Sequence, residues 1–177
     1  MTNPFYQLLS TRYDDSRELE AIEILSNHPN LAVEKWIEEG NEFIYGSTAL
    51  HYAANDGKIR LIEKLLELGA DVNANEAHWF ATPLSWAANN AQLQAAELLL
   101  SSGADPKGLH VMHAIAFGGS SCGKDQPEEY LKCAKLLINA GADKDDTREP
   151  KGRTPYQIAL DVGNTTIAQY LAGIGAN

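Results

Sequence analysis

Short blocks of apolar residues at helical spacing, each closed by a glycine, run along most of the chain. In residues 92–102, Leu93, Ala96, Leu99 and Leu100 fall on one face of a helix. A helix of about ten residues cannot bury such a stripe alone. The pattern therefore predicts pairs of short antiparallel helices that gain a shared core by stacking on one another.

These helix pairs belong to a unit that repeats. Residues 48–73 combine two apolar helical patterns, a tight turn at Asp56 and Gly57, and a Gly-Ala-Asp stop. The unit opens with Thr-Ala-Leu-His-Tyr-Ala at residue 48. The opening returns as Thr-Pro-Leu-Ser-Trp-Ala at residue 82 and as Thr-Pro-Tyr-Gln-Ile-Ala at residue 154, with a degraded copy, His-Val-Met-His-Ala-Ile, at residue 110.

The stop recurs with regular spacing, its glycine standing at residues 69, 103, 141 and 175. The interval from the apolar third residue of the opening to this glycine is 19 residues in three units and 29 in the unit that opens at residue 110. The equal intervals indicate a true repeat, and the longer one indicates an insertion. We place the insertion at residues 118–126, where glycine and serine predict a flexible loop.

This pattern resembles the ankyrin repeat family, strongly over residues 48–177 and more weakly over residues 14–47. The resemblance implies an all-α ankyrin-repeat solenoid of stacked helix-turn-helix units with β-hairpin connectors, forming a single domain over residues 1–177. The predicted units are an N-terminal cap and degenerate repeat at 1–47, repeats at 48–81, 82–109 and 110–153, and a C-terminal capping repeat at 154–177.

The opening and the stop suit the two ends of a helix pair. Threonine is a good N-cap, proline fits the first helical turn, and glycine ends a helix with positive φ. The resemblance also implies that the threonine and histidine of the opening bond to one another and to the neighbouring connector. We expect this only for Thr48 with His51, since Ser85, His110 and Gln157 break the pair in the other units.

The N-terminal segment is less regular. Residues 3–10 are predicted to form a short cap. A capping-box pattern at Asp15 and Glu18 predicts a helix to about Ser26. A second helix is predicted from residue 29 to residue 40, opened by Pro29 and carrying Trp36 on its apolar side.

The connectors between units differ in length. Only two, residues 72–81 and 144–153, are predicted to be long enough for the projecting finger of an ankyrin repeat. The row of fingertips is therefore expected to have gaps.

The composition and charge of the chain limit the classes of function that it can have. The chain has 177 residues, 44% of them hydrophobic, which is enough for one continuous core. No apolar run approaches the ~18 residues of a membrane span, and the N-terminus lacks a secretory signal pattern, so we expect a cytoplasmic protein with no membrane contact. The net charge of −10 argues against nucleic acid and mildly favours a basic partner. A monomer is expected.

The sequence shows no nucleophile, base or metal set typical of an enzyme, and no cofactor is expected. Two histidines three residues apart, His110 and His113, could meet Cys122 from the inserted loop, a set that zinc accepts. Both histidines also occupy positions of the repeat opening, which explains them structurally. Cys133 is predicted to be a core residue and Cys122 an exposed one. The alternative function is therefore a ligand- or metal-responsive regulator that uses this region.

The favoured function is a non-catalytic protein–protein interaction module, an adaptor or an inhibitor. In the family, partners contact the fingertips and the outward side of the first helices, which form a concave groove. Carried over by position, the resemblance implies these partner-binding residues: Tyr45, Asn55, Asp56, His78, Trp79, Phe80, Asn89, Asn90, Phe117, Lys151 and Arg153, with Ile44 and Asp161 beside them.

The adjacent aromatics Trp79 and Phe80 are the strongest candidates, because a connector offers them little core and exposed aromatics anchor interfaces. They could instead fold back over the neighbouring finger. Trp86 is predicted to pack in the core. Lys151 and Arg153 predict either a locally basic finger or a solvated charge pair.

Overall fold

The structure of the chain, a computed structural model, describes residues 4–10, 15–36, 46–121 and 126–176. Within these ranges it contains a 3-10 turn at Pro29–Ala32 and the following α-helices: α1 (Pro4–Ser10), α2 (Asp15–Asn27), α3 (Ala49–Asn55), α4 (Ile59–Glu67), α5 (Pro83–Asn89), α6 (Leu93–Ser101), α7 (Val111–Ser121), α8 (Pro127–Asn139), α9 (Pro155–Asp161) and α10 (Thr165–Gly173). No described helix has the length and apolarity needed to cross a bilayer.

The helices form two layers, which confirms the predicted all-α stack. The first helices of the pairs pack on one another in the order α1, α3, α5, α7, α9, and the second helices pack in the order α2, α4, α6, α8, α10. The apolar stripes meet between the layers in one continuous core that extends from Phe5 to Ala176. Cys133 lies in this core as predicted, and burial raises the pKa of its thiol to about 12.

The first pair differs from the prediction. It consists of α1 and α2, so residues 4–10 form its first helix and are not a separate cap. The Glu18 carboxylate reaches the next pair, where Oε1 accepts a hydrogen bond from the Leu61 backbone N–H at 3.2 Å. A side chain expected to cap its own helix thus caps the start of α4.

The predicted helix from residue 29 to residue 40 is wrong over its described part. Pro29 opens a single 3-10 turn, and the chain then extends along the next unit. Trp36 accepts a backbone hydrogen bond from Gly46 at 2.7 Å and donates one to Ser47 at 2.6 Å. Residues 33–36 and 46–47 are therefore not helical and pair with one another through these bonds, while residues 37–45 lie outside the described residues.

The opening threonines cap their helices in three units. His51 Nδ1 accepts a hydrogen bond from the Thr48 backbone N–H, with a nitrogen–nitrogen distance of 3.1 Å, as the resemblance implied. Ser85 Oγ accepts from the Thr82 N–H at 2.9 Å, and Gln157 Oε1 accepts from the Thr154 N–H at 3.1 Å. The expectation that Ser85 and Gln157 break the pair is thus wrong, because a hydroxyl or an amide oxygen can accept the same hydrogen bond.

The histidines of the opening also join adjacent units. His51 Nε2 lies 3.0 Å from the Ala81 carbonyl oxygen, and His113 Nε2 lies 3.0 Å from that of Arg153. His113 keeps this bond although His110 replaces the capping threonine and has a left-handed φ of 66°. The bond to the following connector thus survives where the cap is lost.

The connectors consist of turns, and no β-hairpin is present in the described residues, where the Lys35–Thr48 antiparallel pair is an isolated bridge. In residues 72–81 the Glu76 carboxylate replaces strand pairing. It accepts backbone N–H groups from His78 at 2.6 Å, Trp79 at 2.5 Å and Ala81 at 3.2 Å. One buried side chain therefore fixes the tip of this connector.

The inserted segment begins within a helix. Helix α7 runs to Ser121, so residues 118–121 are helical and not part of a flexible loop, and residues 122–125 lie outside the described residues. Gly118 faces α5, and a Cβ built on it would lie 1.9 Å from the Asn89 carbonyl oxygen. This glycine therefore permits close packing of the two helices. From the sequence alone, a glycine needed for packing looks the same as a glycine in a loop.

Candidate functional site

We number the connectors in chain order, one after each helix pair. A groove of about 660 Å³ lies between the second connector, residues 72–81, and the fourth connector, residues 144–153. Helices α5 and α7 form its floor. The third connector, residues 104–110, lies between these two walls, and it is short and contributes His110 to the lining. The gap in the row of connectors expected from the sequence therefore corresponds to the opening of the groove.

Trp79 forms the wall on the side of the second connector. Trp79 is 46% exposed as a residue, and the adjacent Phe80 is 58% exposed but does not line the groove. Neither side chain is folded back into the core. Since Glu76 binds the backbone N–H of Trp79, the position of this ring is set by a buried carboxylate.

Phe80 has a left-handed backbone, with φ of 54°. Gly46 and Gly152 stand at the same place in other units, two residues before the opening threonine, with φ of 82° and 68°. A bulky residue in this region costs about 1–2 kcal/mol. The chain thus retains an exposed aromatic where the repeat otherwise uses glycine.

The opposite wall is built from an ion-paired cluster. Arg153 contacts Glu149 at 2.6 Å and Asp161 at 2.9 Å. The hydrogen bond from Arg153 lowers the pKa of Glu149 to about 2. Lys151 is exposed beside this cluster, at the rim of the groove. The charge of Arg153 is therefore largely neutralised, and the exposed Arg148 of the same connector is paired with Asp146.

The floor carries aromatic and small side chains. Trp86 and Asn89 project from α5, and Ala114 and Phe117 project from α7. Trp86 is half-buried, so its prediction as a core residue is wrong. Its ring contacts Tyr52 edge-on at a centroid distance of 5.4 Å. Phe117 is 40% exposed. A largely apolar base thus lies between the wall that carries Trp79 and the ion-paired wall.

His110 and His113 lie at the end of the groove next to Trp79. The ring centroids are 6.4 Å apart for Trp79 and His110, and 5.5 Å apart for His110 and His113. Burial, and then the neighbouring His113, lower the pKa of His110. Among the described residues no group of three or more His, Cys, Asp or Glu side chains could hold a metal ion, and Cys122 of the predicted set lies outside them.

Several predicted binding residues have internal partners. Asn90 Nδ2 donates to Asn55 Oδ1 at 2.7 Å, and Asn55 Nδ2 donates to Asp56 Oδ1 at 2.7 Å. Gln92 Nε2 adds a bond to the Asn55 carbonyl oxygen at 3.2 Å. These amides tie adjacent units together, which gives them a structural role beside any contact with a partner.

The structure brings about half of the predicted residues to the groove. The predicted residues that line it are Asn55, Trp79, Asn89, Phe117, Lys151 and Arg153. Asp56, His78, Phe80 and Asn90 lie outside the lining, and Tyr45 lies outside the described residues, as does Ile44.

Sequence reasoning missed Trp86 and Ala114 as groove residues, although a signal for both was present. Trp86 stands three residues before Asn89, and Ala114 three residues before Phe117. Residues three apart share a helix face, so the prediction of Asn89 and Phe117 implied the other two. Glu76 and Glu149 were also missed, and no local pattern distinguishes them from other surface carboxylates.

Comparison with known families decides what this stack is. A family model of ankyrin repeats matches residues 16–109 in three copies, which is more than half of the chain. The chain belongs to the ankyrin repeat family. The match includes the irregular first ankyrin unit and stops before the degraded opening at His110. The sequence resemblance was strongest over residues 48–177, so the match starts and ends earlier than that region. A comparison with curated proteins finds no match.

Ankyrin repeats are generally protein–protein interaction modules. In this ankyrin protein the groove is lined by the first helices α5 and α7 and by two of the connectors. The family and the geometry therefore direct attention to the same surface.

Proposed function

We propose that the protein is a non-catalytic binding module that holds a segment of a partner protein in the groove between the second and fourth connectors. The observation that carries the proposal is the aromatic surface formed by the exposed Trp79 and Phe117 and the half-buried Trp86, held on a frame of internal contacts. Exposed aromatics in a preformed depression are typical anchors of interfaces. A rigid stack loses little ordering entropy when it binds, which favours affinity.

The frame supports the proposal because internal contacts hold the walls in place. Glu76 fixes the connector that carries Trp79, and the pair of Arg153 and Glu149 fixes the opposite connector. The floor helices α5 and α7 pack directly on one another. A partner therefore meets a surface that does not need to be ordered first.

The test is an affinity capture from a lysate of the native cells with the wild-type chain and a Trp79→Ala, Phe117→Ala double variant. We expect a protein captured by the wild type to be lost with the double variant, because both rings are exposed in the groove and their removal leaves the core intact. The bound protein is then tested in purified form for direct, stoichiometric binding.

Leu19→Ala is the matched control, since Leu19 is 52% exposed on α2 and does not line the groove. All three chains must have the same melting temperature. Equal capture by the wild type and the double variant would contradict the proposal and would direct attention to another surface.

A further inference from the structure

We propose that His113 forms a pH-sensitive contact, in which its ring takes up a second proton and, as an imidazolium, binds the fourth connector at both Asp146 and Arg153. The inference goes beyond the proposed function, since it concerns a buried side chain and needs no partner. It is carried by the atoms that face the two ring nitrogens, and by the comparison with His51 at the same place in another unit.

Both ring nitrogens of His113 face hydrogen-bond acceptors of the fourth connector. Nε2 lies 3.0 Å from the Arg153 carbonyl oxygen, which can only accept, so Nε2 carries a proton. Nδ1 lies 3.8 Å from Asp146 Oδ2, and among the described residues it has no hydrogen-bond partner. A neutral ring would leave the lone pair of Nδ1 facing a carboxylate, whereas an imidazolium has a proton to donate on each side.

The surroundings of His51 are different, although His51 stands at the same place in its own unit. Its Nε2 lies 3.0 Å from the Ala81 carbonyl oxygen, but its Nδ1 accepts the Thr48 backbone N–H at 3.1 Å. A neutral ring therefore satisfies both nitrogens. In the other unit His110 replaces the threonine, and Nδ1 of His113 receives no such bond from the described residues.

Asp146 occurs in the unit that lacks the capping donor. It stands as far before the opening Thr154 as Ala74 stands before Thr82, so the second connector has an apolar residue at the equivalent place. The loss of a donor at residue 110 is thus accompanied by the gain of an acceptor at residue 146. This exchange is the one that a doubly protonated ring requires.

The two partners of the contact are buried, since His113 is 2% exposed and Asp146 is 5% exposed. Burial acts to raise the pKa of the Asp146 carboxyl, but the hydrogen bonds from Arg148 outweigh it, so this pKa is lowered and the group is a carboxylate. A buried nitrogen without a partner costs stability, whereas a charge-assisted bond is about twice as strong as a neutral one. A movement of about 1 Å closes the 3.8 Å separation to a bonding distance.

The other charged groups of the fourth connector and of α7 leave Asp146 as the deciding neighbour. Arg148 repels a second cation, but it is exposed and its charge is offset by Asp146 itself. Arg153 is paired with Glu149. The nearest ring is His110, at a centroid distance of 5.5 Å, and burial, followed by the charge of His113, lowers its pKa. His110 therefore does not compete for the proton.

The elements packed around α7 add no unopposed charge beside the ring. Helix α5 has no charged residue, and Asp161 of α9 is paired with Arg153. The charges of α8 cancel, as do Asp105 and Lys107 of the third connector, while Glu76 of the second connector binds backbone N–H groups. The charged residues of α8 are Glu128, Glu129, Lys132 and Lys135. Helix α10 contributes Tyr170, which is neutral in the range where histidine titrates.

The contact joins three segments of the chain. Asp146 lies near the start of the fourth connector and Arg153 at its end, so a ring bonded to both holds the two ends of this connector on α7. Arg148 Nη2 also donates to the Lys107 carbonyl oxygen at 2.8 Å, which extends the link to the third connector. Because the fourth connector is one wall of the groove, the position of that wall becomes linked to pH.

The direction of the pH effect follows from the proton that folding binds. The contribution of the contact to stability is complete below the ordinary pKa of histidine, about 6.5, and is lost as the pH rises until the folded ring releases its proton. His51 acts in the opposite direction, because only its neutral ring can accept the Thr48 N–H. The two histidines therefore affect stability in different pH ranges.

The first test is nitrogen NMR of the full chain with isotope-labelled histidine at about pH 7, where an ordinary histidine is mostly neutral. Nitrogen chemical shifts distinguish a protonated ring nitrogen from a bare one, and His113→Gln and His51→Gln assign the signals. We expect both nitrogens of His113 to carry a proton and Nδ1 of His51 to be bare. A bare Nδ1 in His113 would overturn the inference.

Asp146→Asn is the matched variant for a second measurement. Asparagine has the same shape, still accepts from Arg148, and offers an amide N–H to a neutral Nδ1. We expect the advantage of the wild type over this variant, measured by urea unfolding, to be greatest at about pH 6 and to fall as the pH rises. The ratio of the two folding equilibrium constants changes by at most about tenfold per pH unit, because one proton is involved.

Asp105→Asn is the control, since Asp105 is an exposed carboxylate of the third connector that does not contact His113. Its difference from the wild type should be constant between about pH 6 and about pH 9. An equally constant difference for Asp146→Asn would overturn the inference. Neither measurement uses a partner, so a failure of the groove as a binding site would leave the result for His113 unchanged.

Discussion

At the scale of single residues, the left-handed positions show most directly where the chain departs from its own repeat. Phe80 stands where Gly46 and Gly152 stand in other units, and Ala91 stands where Gly57 and Gly163 stand. Ala91 is small and buried in a turn, so its side chain contributes to the core despite the left-handed backbone. Phe80 is exposed, so its ring contributes comparatively little to the core. Its left-handed backbone therefore costs stability without a compensating contact in the core.

We predict that Phe80→Gly is more stable than Phe80→Ala by about 1 kcal/mol, because both variants lack the ring and only glycine adopts a φ of 54° without strain. Urea unfolding monitored by circular dichroism measures the difference. A Phe80→Ala variant as stable as Phe80→Gly would show that the backbone at this position is not strained.

The buried His51 gives the protein a specific response to acid. Burial lowers its pKa from 6.5 to about 4, and its neutral ring accepts the Thr48 N–H. Its contribution to stability is therefore complete above pH 6.5 and is lost as the pH falls through 4. From the size of this pKa change we expect a loss of roughly 3 kcal/mol from this group alone.

His51→Gln is the informative comparison, because Gln157 already performs the same capping role in the last unit. We expect the free energy of unfolding of the variant to fall less steeply than that of the wild type between pH 6.5 and pH 4. Denaturant unfolding at several pH values measures both slopes. Parallel slopes would mean that other groups account for the acid sensitivity.

At the scale of the elements, helix packing depends on small residues at close contacts. We predict that Gly118→Ala lowers the stability by about 1–3 kcal/mol, because the added methyl would meet the Asn89 carbonyl oxygen at 1.9 Å and force α5 and α7 apart. The readout is the midpoint of urea unfolding.

Gly173→Ala is the matched control for this change. A Cβ at Gly173, the last residue of α10, has no neighbour within 4 Å. This substitution should leave the stability unchanged or raise it by up to about 1 kcal/mol through helix propensity. If both alanine variants behaved alike, the close contact at Gly118 would not be limiting.

Periodicity explains which elements could be predicted from the sequence. Helices α3 to α6 follow from openings and stops at fixed intervals. The first unit could not be placed, because Pro29 is typical of a helix start. In the structure the buried Leu25 corresponds to the buried Leu65 of the next unit. Pro29 follows Leu25 at the same distance as Gly69 follows Leu65, so Pro29 occupies the position of the stop glycine.

The groove was predictable only in part, because its two walls come from distant segments. The connector lengths indicated a gap, and the position of Trp79 in a connector indicated exposure. The ion pair between Arg153 and Asp161 and the three bonds to Glu76 depend on the folded geometry. No spacing in the sequence encodes them.

At the scale of the whole molecule, the groove depends on the difference in length between neighbouring connectors. We predict that replacing the third connector with a copy of the second closes the groove. The variant should lose the captured partner and keep its helix content, since the core side chains of the helices themselves are unchanged. Circular dichroism and the capture experiment measure these two properties. Undiminished capture would place the binding surface elsewhere.

The short third connector also defines a length. Stacked helices lie about 10 Å apart, so walls that are two units apart are separated by about 20 Å. An extended chain advances about 3.3 Å per residue. In the proposed complex, a partner segment that crosses from Trp79 to Lys151 therefore spans about six residues, so the spacing of the walls would act as a ruler for the length of the bound motif.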